Sequence, residues 1–224
     1  MVLAIEFSSA QRSVALLQPS GGKGATLRAQ IIETGGRGAR ACAMIDEALR
    51  QAGAAREEVA RVAIGIGPGS YNGIRAAIAF AQGWQLSRGI PLTGVSSAHC
   101  LAAQAQARGR TGKIAIVIDA QRQEFYLSLF ELTTHGRSEL EPLRVASRAD
   151  VESAAQQGCA LAGPDITRWF PQAEILYPSA EMAGRLALEK TENTPGHLIE
   201  PIYLRATQFV KAPPPKSRFE SPGD

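Results

Sequence analysis

The segment Gly65-Ile-Gly-Pro-Gly-Ser-Tyr-Asn-Gly-Ile-Arg75 joins a predicted strand to a predicted helix through a glycine-rich loop. The apolar run at residues 59–66 predicts the strand, and Asn72 can cap a helix that runs to Ser87. Such a loop presents backbone N–H groups beside a helix N-terminus, and together they can hold an anion such as a phosphate. The segment lacks the Gly-Lys-Ser/Thr of a P-loop, and Pro68 interrupts any dinucleotide GxGxxG. Two hypotheses therefore stand, an anion-binding loop or a tight turn that seats the helix.

Two acidic residues could act together with this loop. Glu6 lies near the end of the first predicted strand, in Glu6-Phe-Ser-Ser9, and Asp119 begins the polar turn after a later apolar strand. In actin-like ATPases and sugar kinases, acids at such strand ends hold a metal–nucleotide or the attacking water. The alternative is that both acids accept hydrogen bonds from local backbone donors. The candidate anion-side residues are Glu6, Ser8, Gly67, Pro68, Gly69, Ser70, Arg75 and Asp119.

Outward from the loop, hydrophobic periodicity predicts strands that alternate with helices. The first three strands are separated by short polar turns, which predicts an antiparallel opening. The predicted strands are residues 2–7, 13–17, 27–33, 59–66, 91–95, 114–118, 125–132, 160–162 and 199–204. The predicted helices are residues 39–52, 72–87, 98–108, 150–157 and 179–190.

The two halves of the chain share one plan. Each begins with a strand, a polar turn and a returning strand: Leu3-Ala-Ile-Glu6 with Ser13-Val-Ala-Leu16, then Ile116-Val-Ile-Asp119 with Phe125-Tyr-Leu-Ser128. This repetition suggests an internal duplication. Because the polar, glycine-punctuated run at residues 108–112 separates the halves, we expect a boundary there. The predicted units are residues 1–108, residues 109–211 and a flexible proline-rich tail at 212–224.

Composition favours an ordinary folded protein and excludes several classes. The 224 residues are 45% hydrophobic and 20% charged, which excludes a disordered chain. No apolar run approaches the roughly 18 residues of a membrane span, and Glu6 interrupts the first apolar run, so we expect no secretory signal and a cytoplasmic location. The three cysteines form no CxxC, which disfavours a zinc ribbon or a disulfide framework. The net charge of +3 is spread along the chain and permits nucleic-acid contact without predicting it.

These motifs, in this order, resemble the TsaB (YeaZ) family of partner subunits for tRNA threonylcarbamoyladenosine synthesis. Besides residues 65–75, the resemblance rests on four runs and extends from residue 2 to about residue 205. The four runs are Leu3-Ala-Ile-Glu6, Gly89-Ile-Pro-Leu-Thr-Gly-Val-Ser-Ser97, Ile118-Asp-Ala120 and Pro201-Ile-Tyr-Leu-Arg205. The resemblance implies an α/β, actin-like (ASKHA) fold of two βα subdomains, of which the N-terminal one carries a mixed sheet and interface helices.

The resemblance also implies a function. It indicates a non-catalytic scaffold that activates a TsaD-type subunit, which transfers a threonylcarbamoyl group to N6 of adenosine 37 in tRNA. A TsaE-type ATPase and tRNA would join through the complex. ATP or ADP would bind at the complex interface and not to the isolated chain, and the free chain could form a homodimer. The implied partner residues, on the helices at 39–52 and 72–87, are Ala41, Met44, Ile45, Ala48, Leu49, Ala76, Ala79, Phe80, Gly83 and Trp84. The competing view is that both helices only cover their own sheet.

The sequence departs from the family pattern at Phe7 and at the first-helix entry, Gly35-Gly-Arg-Gly-Ala-Arg40, which is richer in glycine and lacks the usual histidine and acidic residue. Catalytic relatives carry two metal-binding histidines on the first helix, whereas Gly38-Ala-Arg-Ala-Cys-Ala-Met-Ile-Asp46 has none, so we expect no metal site. Phe7 stands where relatives usually have a hydroxyl, which removes one potential phosphate contact. The alternative function is an actin-like ATPase or small-molecule kinase that binds ATP between its subdomains, with Glu6, Asp119 and the loop at 67–70 around the phosphates.

Overall fold

The first sheet contains the predicted antiparallel opening. The computed structural model describes residues 1–21, 24–35, 40–190 and 195–204. The strands of the first sheet are β1 (Val2–Glu6), β2 (Gln11–Pro19), β3 (Ala25–Thr34), β4 (Arg61–Gly65) and β5 (Leu92–Val95), in the order β3-β2-β1-β4-β5. In this sheet, β2 is antiparallel to β1 and β3, whereas β4 and β5 extend the sheet in parallel from β1.

The second sheet repeats this arrangement. Its strands are β6 (Gly112–Asp119), β7 (Glu124–Leu132), β8 (Arg137–Ser147), β9 (Ala160–Gly163) and β10 (Glu174–Ile175), in the order β8-β7-β6-β9-β10. The central strand β6 has antiparallel β7 on one side and parallel β9 on the other. The same strand order and orientation in both sheets is the topology of an actin-like fold, and it agrees with the suggested internal duplication.

Five helices cover the faces of the two sheets. They are α1 (Ala41–Ala52), α2 (Tyr71–Arg88), α3 (Ser97–Ala107), α4 (Arg148–Gln156) and α5 (Ala180–Glu189). Helices α1 and α2 bury apolar side chains against one face of the first sheet. Helix α3 lies between the sheets, since Cys100 packs with the first sheet and Leu101 with the second. Helix α4 covers the far face of the second sheet. No helix within the described ranges is long and apolar enough to cross a membrane.

The C-terminal part of the chain requires three corrections. Helix α5 packs on β1, β2 and β4 of the first sheet, so residues 109–211 are not one unit. Residues 199–204 form no strand, because Pro201 has no N–H to donate and the segment lies along α2. The unpredicted strand β8 is an edge strand with a mostly exposed, charged sequence that shows no apolar alternation. The predicted tail at 212–224 lies outside the described residues.

Candidate partner-binding site

The glycine-rich loop between β4 and α2 packs directly against the turn that follows β1. The Ser70 backbone N–H donates to the Ser8 carbonyl oxygen at 2.7 Å, and the Ser70 hydroxyl accepts from Gly73 N at 3.4 Å. At Gly69, where φ is +146°, a Cβ would lie 2.1 Å from the Ser8 carbonyl oxygen. This close approach between two parts of the chain accounts for Gly69 without any ligand. Gly67 and Pro68, in the same loop, are buried.

The Glu6 carboxylate is fully buried at the start of this loop. Its Oε1 accepts the Ser8 backbone N–H at 2.7 Å, and its Oε2 accepts the Ser97 hydroxyl at 2.9 Å. A Cβ at Gly65 would lie 1.9 Å from Oε2, so the carboxylate fills the space beside the end of β4. Burial raises the pKa of Glu6 above its ordinary value of 4.5, although the hydrogen bonds from Ser8 and Ser97 lower it in part. Glu6 is therefore a buried acidic side chain that ties β1 to the start of α3.

The other candidate anion-side residues have local partners of their own. Asp119 Oδ1 accepts the Gln121 backbone N–H at 2.7 Å, and Oδ2 pairs with Arg168. Arg75 lies on the exposed side of α2, where its guanidinium carbon is 5.0 Å from the centre of the Tyr71 ring. These contacts agree with the hypothesis of locally satisfied turn carboxylates for Glu6 and Asp119.

Helix α1 turns all five of its predicted interface residues into the core. These five are between 0% and 6% exposed and pack on the first sheet: Ala41, Met44, Ile45, Ala48 and Leu49. Their spacing of three and four residues is that of the core-facing stripe of an amphipathic helix. The assignment of these five residues to a partner surface is therefore corrected, because their side chains are occupied by the chain's own core.

Helix α2 is different, because several of its predicted residues reach solvent. Ala79 and Gly83 are exposed, whereas Ala76, Phe80 and Trp84 are half-buried. The Phe80 and Trp84 rings lie 6.0 Å apart between centroids, and both pack partly on the core below. The result is a helix surface of small residues beside two partly exposed aromatic rings.

A groove of about 320 Å³ runs between α1 and α2. Its lining residues are Cys42, Ile45, Asp46, Arg56, Ala79, Phe80, Gly83 and Trp84. Ile45 is 1% exposed, so it contributes only to the floor. Asp46 and Arg56 form an ion pair beside the exposed Cys42. An apolar groove with a polar rim can accept a helix of another protein, since small side chains permit close approach and tryptophan is enriched at interface hot spots.

Sequence reasoning missed part of this groove. Asp46 and Arg56 are ten positions apart, and they meet because Arg56 begins a 3₁₀ turn after α1 at Arg56–Glu58. That turn leaves no periodic signal in the sequence.

The described residues do not gather metal ligands. Among residues 1–21, 24–35, 40–190 and 195–204, no group of three or more His, Cys, Asp or Glu side chains could hold a metal ion. His99, near the start of α3, packs edge-on against Phe130 at 5.4 Å between ring centroids, and its Nε2 lies 3.4 Å from Glu139. These contacts make His99 a packing residue of the region between the sheets.

Comparisons with known proteins place the chain in one family. The family model described as TsaD: tRNA N6-adenosine threonylcarbamoyltransferase matches residues 39–164, more than half of the chain. The tRNA threonylcarbamoyladenosine biosynthesis protein TsaB of Escherichia coli is 26% identical over 191 residues, which are 77% of this chain and 82% of that protein. TsaB of Bacillus subtilis is 30% identical over 58% of this chain and 55% of that protein.

The fold agrees with these relatives. The solved structure of YeaZ from Pseudomonas aeruginosa superimposes with a TM-score of 0.75 at 25% identity, covering 91% of this chain and 99% of that chain. A second Pseudomonas aeruginosa structure, of a protein with similarity to peptidase YeaZ, gives a TM-score of 0.77 at 26% identity. Together with the duplicated five-stranded sheets, these similarities show that the chain belongs to the TsaB (YeaZ) family of tRNA threonylcarbamoyladenosine biosynthesis proteins.

Proposed function

We propose that this chain is a non-catalytic subunit that binds and activates a TsaD-type threonylcarbamoyl transferase. The observation that carries the proposal is the groove between α1 and α2, with the exposed Ala79 and Gly83 beside Phe80 and Trp84. A partner helix laid in this groove would cover the two rings. Removal of apolar surface from water contributes about 25 cal/mol per Å², so two aromatic side chains are a substantial anchor.

In this proposal the chain presents a binding surface to the catalytic subunit and does not itself take part in the transfer reaction. Its first sheet holds α1 and α2 through a continuous core, so the groove is presented as a rigid surface. A rigid surface binds its partner at a lower entropic cost and can stabilise one conformation of the catalytic subunit. The TsaE-type ATPase and the tRNA would then join the pair of subunits, and the whole assembly would work in the cytoplasm. In the absence of its partner, the groove could be covered by a second copy of the chain.

Nucleotide binding is assigned to the assembled complex and not to this chain alone. Glu6 places an acidic group beside the glycine-rich loop, and Ser70 N already donates to Ser8. Both features oppose an external phosphate at this loop, which argues against the alternative of an actin-like ATPase or kinase. We expect the isolated chain to show no heat of binding with ATP and magnesium in calorimetry. Stoichiometric binding with turnover would instead support the enzyme hypothesis.

The partner hypothesis can be tested with one variant and one matched control. Gly83 is exposed, and a Cβ there would meet no atom within 4 Å, so Gly83→Arg fits the fold but fills the groove. Gln156→Arg adds the same charge to an exposed end of α4. We expect light scattering on a sizing column to show a complex of summed mass for the wild type and Gln156→Arg, but not for Gly83→Arg.

Modification activity should follow complex formation. In a reconstituted assay with the TsaD-type subunit, ATPase and tRNA from the same cell, we expect threonylcarbamoyladenosine formation to require this chain and to fail with Gly83→Arg. If the wild-type chain forms no complex even with all components present, the proposed function is wrong. If Gly83→Arg binds as tightly as the wild type, the groove is not the binding site.

A further inference from the structure

Large exposed apolar side chains are concentrated on one part of the surface. Eight such residues occur in the described ranges, and five of them lie on α2 or on residues 195–204. These five are Tyr71, Leu86, Leu198, Tyr203 and Leu204. Scattered exposed apolar residues need no explanation, whereas a local concentration marks an interaction surface.

Residues 195–204, which we call the strap, are fixed along α2. Ile199 is 4% exposed within the core of the first sheet. The Ile202 backbone N–H donates to the Ile66 carbonyl oxygen at 2.9 Å, and Gln82 Nε2 donates to the Gly196 carbonyl oxygen at 2.8 Å. Anchors at both ends and in the middle hold the strap in place, so its outward residues form a defined surface together with α2.

A second cavity, of about 390 Å³, lies between α2 and the strap. Its lining residues are Arg75, Ile78, Ala79, Gln82, Glu200, Pro201 and Tyr203. Ala79 also lines the groove between α1 and α2, so the two recesses flank the same helix. The proposed partner face therefore continues across α2 to the strap.

Charged and aromatic side chains meet at this cavity. Tyr71 and Tyr203 lie 5.8 Å apart between ring centroids, and the Arg75 guanidinium is stacked over Tyr71. In the part of the chain that the structure describes, the groups that act on the Arg75 charge are the two tyrosine hydroxyls, and no carboxylate pairs with it. Glu200 faces the same cavity with the opposite charge. The cavity and its edge therefore combine an arginine that has no carboxylate partner among the described residues, an acidic side chain and two aromatic rings.

We infer that the strap and the first half of α2 form a second contact for the TsaD-type partner, which supplies a carboxylate to Arg75 and an apolar side chain to the tyrosine rings. This inference rests on the proposed function. An arginine held by aromatic stacking loses little freedom when it binds a carboxylate, and arginine and tyrosine are both enriched at hot spots. A protein segment suits the cavity better than RNA, because Glu200 repels phosphate groups.

The test compares four variants by their dissociation constants for the catalytic partner. Tyr203→Ala and Arg75→Glu alter the strap cavity at exposed side chains, and we expect each to weaken binding at least tenfold. Leu140→Ala and Ile175→Ala remove exposed apolar side chains from the second sheet, and we expect less than a twofold change. In addition, Arg75→Gln should flatten the salt dependence of the affinity, which loss of packing alone would not do.

The outcomes separate this inference from the proposed function. If Gly83→Arg abolishes binding but the strap variants bind as the wild type does, the strap inference is overturned and the partner role stands. If the wild-type chain binds no catalytic subunit, both are overturned. If Tyr203→Ala weakens tRNA binding by the chain while partner affinity is unchanged, the strap is an RNA contact and the inference is again wrong.

Discussion

At the scale of single residues, Glu6 occupies the space beside the glycine-rich loop with the chain's own side chain. Its carboxylate is fully buried and accepts hydrogen bonds from Ser8 N and the Ser97 hydroxyl. The neighbouring Phe7 is also fully buried and belongs to the core of the first sheet. A position that could have carried a phosphate-binding hydroxyl is therefore a core position here, and the adjacent carboxyl group is used for internal hydrogen bonds.

The buried carboxylate makes stability depend on pH in a definite direction. Because burial raises the pKa of Glu6 above 4.5, its stabilising effect is full below that pH and is lost as pH rises through the folded-state pKa. In Glu6→Gln, the amide can accept from Ser8 N and donate to Ser97, and it does not titrate. We expect the unfolding free energy of the wild type, relative to Glu6→Gln, to fall as pH rises above 4.5 in urea titrations. Parallel curves for the two proteins would contradict this account.

The cysteines offer a second test at the same scale. Cys42 is exposed and lines the groove, whereas Cys100 and Cys159 are buried. Burial also raises the pKa of both buried thiols, which lowers their reactivity further. We expect a maleimide to label one thiol rapidly in the native chain and all three after unfolding, by mass spectrometry. Bound partner should protect Cys42, and unchanged labelling in the complex would place the partner elsewhere.

At the scale of elements, α1 and α2 play different parts. Helix α1 covers the first sheet, whereas α2 also presents an exposed surface. Ala48 on α1 is 0% exposed, whereas Ala79 on α2 is exposed. Ala48→Glu buries an unpaired charge, so we expect a loss of about 4 kcal/mol or more of unfolding free energy. Ala79→Glu should change stability by less than about 1 kcal/mol and still abolish partner binding. Equal destabilisation by the two substitutions in urea unfolding would contradict this division between the helices.

The same elements show what sequence can predict. The apolar stripe of α1 predicts a helix and its buried face, but it cannot distinguish a core from an interface, because both select apolar side chains. Strand β8 has no such stripe, since its pairing with β7 along an edge leaves most of its side chains exposed. The strap resembles a strand in composition, yet it binds α2 through contacts that are distant in sequence. A recess between two segments that are distant in sequence therefore cannot be predicted from local sequence patterns.

At the scale of the whole molecule, a segment late in the chain packs against the sheet formed by its first strands. Helix α5 comes after the second sheet but packs on β1, β2 and β4 of the first. The Ala180 backbone N–H donates to the Ser13 hydroxyl at 2.8 Å in a buried contact. Leu17 and Ala183 belong to the same core cluster. The first sheet is therefore completed only by residues that follow the second sheet in the chain.

This closure predicts how fragments behave. A fragment of residues 1–108 lacks α5 and the strap, so the face that carries Ala4 and Leu17 would be covered only by α3. We expect that fragment to lack cooperative thermal unfolding by circular dichroism, whereas residues 1–204 should unfold in one transition. Addition of a peptide of residues 177–204 should restore part of the cooperativity in the shorter fragment. If residues 1–108 alone unfold cooperatively and bind the catalytic partner, then α5 and the strap contribute neither to the first core nor to the partner face.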